Sequence, residues 1–395
     1  MFAIALFVFT LYVRRPTWGD FESDVIWHLR STERFQRGEL AADLSGHSHR
    51  FGVYLVTISV SRVTGLDLGQ AIALAQAAAV FAAFLVTLRV LRTQVGEGYG
   101  SRAGTLAALL LGIATPIYLP FNQTIMRGSG IWNGYQLYLG QGSPNVWHNP
   151  PYVLMTPFAI ASFALIVRWL AEDRMRPLGG TCILAAVLLA ATPIIKPSYV
   201  VTLLPALPLY WVVSRAEIRL DWRRLVSAAA IFGPLLAVLL AVFFVEVLGA
   251  RGAPTRIRFG GADFLPFVVW SHFTPSLPVS WLVALAFPVA TLAAYPGLLR
   301  RDRGLRLAWL MLLVGGLQFL LLAEVGPRKW HANWGWGYNI ALRILYIYSL
   351  AALWRENRAV RSLAGLKRVA WGLLLLHGMS GALYLVRIVS GVGFG

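Results

Sequence analysis

The sequence predicts an all-α, polytopic membrane helix bundle of about eleven transmembrane helices, with two further helices lying in the membrane interface. Three observations predict it. Hydrophobic residues make up 57% of the chain and charged residues only 13%, where a soluble domain is about a quarter charged. Apolar runs able to cross the roughly 30 Å hydrocarbon core recur from end to end. No polar stretch between them is long enough for a soluble domain, so residues 1–395 read as one membrane-embedded unit.

The first run, MFAIALFVFTLYV, lacks the basic start and small-residue cleavage site of a signal peptide. It reads as a thin first transmembrane helix, about 20 Å long at about 1.5 Å per residue. A first outer loop follows, residues 15–68. Within it DVIWHLRSTERFQRG places Val25, Ile26, Leu29 and Phe35 on one flank and ends at Gly38, the pattern of an interfacial amphipathic helix. Residues 50–64 are apolar but too short to span, and Arg50 and Arg62 flank them, so they form a second interfacial helix. The remaining spans are 69–92, 102–121, 150–170, 178–195, 197–213, 225–248, 277–299, 306–324, 336–354 and 368–390.

Charge supports this count. With the N-terminus cytoplasmic, the inner loops carry 19 Lys and Arg against 7 Asp and Glu, as the positive-inside bias requires. Counting 50–64 as a span would turn the clusters SRAEIRLDWRR and LLRRDRGLR outward. The same distribution explains the net charge of +18 without nucleic acid. Cys182 is the only cysteine, which excludes a disulfide framework and a cysteine metal site. No HExxH, Walker loop, GxSxG or internal repeat occurs.

On this topology six of the seven histidines lie on the outer side. A proton or ion pathway would spread polar groups through the membrane depth. Their gathering at one face points to a reaction or binding site there.

Four stretches supply the candidates. In GDFESDVIWHLRSTERF, Asp24 and His28 share a helical face at i, i+4. Asp24 reads either as a capping carboxylate or as a general base. Asp20 and Glu22 are solvated loop acids or oxygen ligands for Mg²⁺ or Mn²⁺; no motif demands a cofactor. In SPNVWHNPPY, Pro150 and Pro151 open a helix, with His148 and Asn149 at its mouth. Asn149 serves equally as a cap, and a helix N-terminus favours phosphate. The surrounding Trp132, Tyr135, Tyr138, Trp147 and Tyr152 suit an aromatic belt. In EVGPRKWHANWGWGY, Glu324, Arg328, Lys329, His331 and Asn333 form either an ion-paired loop or a clamp for phosphate and sugar. In TPIIKPSY, Lys196 either snorkels to the interface or holds a lipid phosphate.

The layout resembles the GT-C class of integral-membrane glycosyltransferases: one span, an outer loop with an acidic motif opening an interfacial helix, a second such helix, then many spans. The residue-level resemblance is the Asp–x13–Gly spacing of that loop, Asp24 to Gly38, with residues 47–71 similar to the second interfacial helix. The resemblance implies hexosyl or pentosyl transfer from a polyprenyl-phosphate-linked sugar donor to a glycan or lipid acceptor, in cell-envelope assembly. It implies a multi-pass plasma (inner) membrane protein with an extracytoplasmic active site. Asp24 would be the catalytic position, with Asp20 second because GDF echoes the motif. Arg328, Lys329 and Lys196 would bind donor phosphate, and His28, His148, Asn149, Glu324, His331 and Asn333 would contact substrate. SPNVWHNPP and EVGPRKWHANWGWGY fit no particular subfamily. The alternatives are a lipid-linked saccharide transporter or flippase, and a polysaccharide polymerase or ligase.

Overall fold

The computed structural model describes residues 1–14, 17–18, 21–22, 24–39, 51–96, 102–117, 140–172, 179–215, 221–249, 262–264, 266–324, 332–359 and 364–390. Helix α1 (Phe2–Arg14) leads to a ribbon of β1 (Thr17–Trp18) and β2 (Phe21–Glu22). Then come α2 (Asp24–Gln36), α3 (Phe51–Thr64), α4 (Leu68–Val95), α5 (Arg102–Ile113), α6 (Pro150–Ala171), α7 (Gly180–Ile195), α8 (Ser198–Val213) and α9 (Trp222–Gly249). The chain continues through β3 (Ala262–Phe264), α10 (Val268–Phe273), α11 (Leu277–Ala294), α12 (Leu298–Arg301), α13 (Arg303–Leu321), β4 (Leu322–Glu324), α14 (Gly335–Ala359) and α15 (Ala364–Ser390). Strands β1 and β2 pair antiparallel, as do β3 and β4, with Ala262 opposite Glu324.

The all-α class holds, while the span count holds in part. Each of the eleven predicted runs is mostly helical. Among the described residues, six helices are long and apolar enough to cross a membrane: α4, α6, α9 over Trp222–Val242, α11, α13, and α15 over Gly365–Ser390. Helices α1, α3, α7 and α8 are shorter, as is the apolar part of α5. Three ends differ from expectation. Helix α5 stops at Ile113, just before Pro116, which disfavours helix in the residue ahead of it. Helix α11 stops at Ala294, and Pro296-Gly297 turns the chain into α12. The run expected over 306–324 leaves the helix at Leu321, so Glu324 ends a strand instead of closing a span.

Helix α14 is the centre. Every residue from 335 to 353 is buried, and α13, α4, α8 and α11 pack around it. It tolerates Asn339, Arg343 and Ser349 because the bundle, not lipid, surrounds them. Helix α9 is the opposite case, packed mainly on α7 and mostly uncovered along its apolar run. Helix α3 is covered along Gly52, Val53, Tyr54, Thr57 and Ile58, where Gly52 sits against Ile194 and Ile195 of α7.

At the far end of α13, Asp302 accepts from Leu305 N at 2.8 Å and caps the helix. The same carboxylate takes Arg355 Nη2 at 2.9 Å, tying α13 to α14. Arg306 is buried there on the Leu299 and Arg300 carbonyls and the Ser214 hydroxyl.

Helices approach closely where the sequence has glycine, as is common between helices in membranes. A Cβ at Gly381 of α15 would lie 1.7 Å from Ile113 O of α5, whereas one at Gly372 meets nothing within 4 Å. Gly381→Ala should therefore cost about 1–3 kcal/mol, the range for overpacking. Gly372→Ala should be neutral or slightly stabilising. Thermal melting of the two variants in detergent checks this; equal midpoints would refute the α5–α15 contact.

Candidate functional site

Proline chemistry positions two of the site's elements. Pro150 pushes Asn149 into extended backbone (φ −107°, ψ 98°), and Asn149 Oδ1 then accepts from Tyr152 N at 3.1 Å to cap α6. Pro197 does the same to Lys196 (φ −161°, ψ 119°), ending α7 and starting α8. Lys196 is only 6% exposed, so it does not snorkel to a surface.

The loop before α6 is pinned at several points. Gly140 O accepts from Trp270 Nε1 at 2.8 Å, and Ser143 N donates to Asn339 Oδ1 at 2.8 Å. Asn145 Nδ2 donates to Leu111 O at 2.9 Å and Ala114 O at 2.7 Å. Gly142 has φ +79°, and a Cβ there would strike the Tyr338 ring at 2.2 Å, so both backbone and space demand glycine.

These anchors bring residues from four helices together. Asn149 Nδ2 donates to Asp24 Oδ2 at 2.8 Å, joining the start of α2 to the start of α6. The one amide thus caps α6 with its oxygen and orients Asp24 with its nitrogen. His148 Nε2 lies 3.9 Å from the same Asp24 oxygen. The His148 ring is 5.9 Å from that of Trp336 at the start of α14. Lys196 Nζ sits over the Trp336 ring at 4.7 Å, a cation–π contact. Tyr152 faces the same indole at 5.8 Å.

Trp336 was not among the sequence candidates, since the charged and polar residues of its stretch carried the reading there. The signal is the Gly335-Trp336-Gly337 triplet. A Cβ at Gly335 would crowd Phe319 at 2.9 Å, and one at Gly337 would lie 2.0 Å from Thr202 Oγ1. The glycines let α14 start hard against α13 and α8, leaving Trp336 as the first bulky group to face Lys196 and His148.

Asp24 remains 45% exposed in its side chain. Its Oδ2 is held, while Oδ1 has no hydrogen-bond partner among the described residues. A carboxylate oriented on one oxygen and open on the other can accept a proton from a bound hydroxyl. Burial pushes His148 toward the neutral imidazole; Asp24 opposes this and Lys196 reinforces it. A neutral ring can donate or accept a hydrogen bond, which is what an orienting group would need.

The structure brings together Asp24, His148, Asn149 and Lys196 of the sequence candidates. His28 is 2% exposed, with its ring edge-on to Trp27 and near Tyr54. That places it in the packing between α2 and α3. Asn333 lies in the turn just before α14. Asp20, Arg328, Lys329 and His331 lie outside the described residues, as do the side chains of Glu22 and Glu324. No group of three His, Cys, Asp or Glu side chains gathers among the described residues. Comparison with protein-family models, curated proteins and solved structures finds no match for this chain.

Asn149→Ala should remove both the α6 cap and the Asp24 bond, costing about 1–2 kcal/mol. Asn149→Asp should keep the cap but set two carboxylates together. A double-mutant cycle with Asp24→Asn checks the coupling, and strict additivity would refute the contact. The native state binds the His148 proton less tightly than the unfolded chain does. Stability from this group is therefore complete above the ordinary pKa of 6.5 and declines as pH falls below it towards the lowered native value. The melting temperature of wild type should drop more on acidification than that of His148→Gln; parallel curves would refute it.

Proposed function

We propose that the chain is a GT-C-like glycosyltransferase that moves a sugar from a polyprenyl-phosphate-linked donor to a hydroxyl acceptor at the outer face of the membrane. The observation that carries this reading is Asp24, half-exposed and aligned by Asn149 across two helices, with buried Lys196 acting on the same His148 ring that Asp24 faces. Asp24 takes the acceptor's proton as its oxygen attacks the anomeric carbon, while the bond to the donor phosphate breaks. Lys196 offsets charge developing on the leaving phosphate, a large term when the cation is held in a water-poor site. Arg328 and Lys329 would add to this clamp. Trp336 offers a flat apolar face for a sugar ring, and His148 orients a sugar hydroxyl. Any need for Mg²⁺ or Mn²⁺ would fall to Asp20 and Glu22. The eleven-span topology, with a cytoplasmic N-terminus in the plasma membrane, belongs to the same proposal and rests on the charge distribution of the loops.

The test uses protein in lipid nanodiscs with a panel of polyprenyl-phosphate sugars and a mixed acceptor extract, following release of polyprenyl phosphate. Asp24→Asn should abolish release in a protein that still melts cooperatively. Lys196→Met should lower it about 10²–10³-fold, as expected for loss of one electrostatic stabiliser. Release unchanged in Asp24→Asn would overturn the assigned base. No release from wild type across the panel would overturn the transferase reading in favour of transport.

A further inference from the structure

Helices α4, α5, α6 and α14, with the loop before α6, line a small cavity with room for about one water-sized particle. Its apolar wall includes Val80 and Gly112, and its polar wall Asn145, Trp147, Thr156 and Arg343. Arg343 is 7% exposed and makes no hydrogen bond or ion pair with any described residue; its Nε is sealed from solvent with no partner among them. Trp147 Nε1 is in the same condition.

The acceptors are neutral. Asn145 cannot turn its amide, because Nδ2 already holds the Leu111 and Ala114 carbonyls. Its Oδ1 is therefore the atom left over. The Thr156 hydroxyl donates to Tyr152 O at 2.7 Å and offers only lone pairs. The Tyr152 hydroxyl, which interacts electrostatically with Arg343 and has no hydrogen-bond partner among the described residues, adds further lone pairs. Against these stand the guanidinium, whose Nε is sealed and unpartnered, and the indole N–H. Every one of these acceptors is neutral, so the positive charge has no counter-charge among the described residues. A buried cation without a counter-charge costs several kcal/mol. A water would offer two lone pairs and no charge. An acceptor-only ion answers both needs.

We propose that this cavity binds a small monovalent anion, of halide size, held by Arg343 and Trp147 as the counter-ion of the central helix. The proposal is independent of the transfer reaction, since it concerns a charge buried inside the bundle. It predicts that the protein melts a few degrees higher in bromide or chloride than in gluconate at equal ionic strength.

Crystals grown in bromide, measured at the bromine absorption edge, supply the direct test. The expected result is an anomalous peak within hydrogen-bond reach of Arg343 and Trp147 Nε1, together with the halide-dependent melting. Arg343→Gln should lose both. Trp147→Phe, which keeps the ring but removes the N–H, should weaken the halide dependence and serves as the test if Arg343→Gln does not fold. No peak in the cavity would overturn the proposal, as would a peak that persists in Arg343→Gln. A peak with melting indifferent to halide would mark an adventitious ion only and would also overturn it.

Discussion

The structure depends on burying one polar-bearing helix on all sides. Helix α14 has no exposed residue from 335 to 353, so its polar groups can find partners only within the bundle. Asn339 answers Ser143 N, and the Tyr346 hydroxyl answers Ala284 O at 2.7 Å. Asp302 answers Arg355 at the other end. These bonds fix the loop before α6 and hold α11 and α13 in register. The candidate site is a consequence, because the loop that α14 pins is the one that delivers His148 and Asn149.

A second constraint is economy at the helix ends. Each helix terminus leaves backbone groups that need partners. At α6 the partner is the Asn149 amide oxygen, and the amide nitrogen is what donates to Asp24. A capping residue and a positioning residue are therefore the same side chain. The structure bears out the capping reading of Asn149 and adds a bond to Asp24 that the sequence did not suggest. The end of α7 shows the other strategy: Pro197 ends the helix, and Lys196 is left over an indole ring, where a cation is better placed than in bare hydrocarbon.

Much of the site was legible before any coordinates. Asp24, His148, Asn149 and Lys196 stood out because each sits beside a helix start or stop written in proline and acid, and such signals are local. His28 stood out by the same local kind of signal, and the structure places it in packing. The i, i+4 rule places it on the Asp24 face but does not say that α3 will cover that face with Tyr54. Trp336 was hidden among many outer aromatics, and only the packing of its two flanking glycines distinguishes it. Arg343 was visible as a charge inside a span, but nothing local shows which donors would share its cavity.

The sequence by itself determined the all-α class, the approximate positions of the helices and several of the residues that start and stop them. Hydrophobic run length and proline are local quantities that one strand of text carries in full. The tertiary structure alone decided which helix is central and which polar groups meet. Asp24 and Asn149 are 125 residues apart in the chain, and no local rule measures that distance. Helices within a membrane are not sorted by hydrophobicity, because lipid and helix are equally apolar. Their order is set by close fit at small residues and by partners for buried polar groups, and both exist only once the chain has folded.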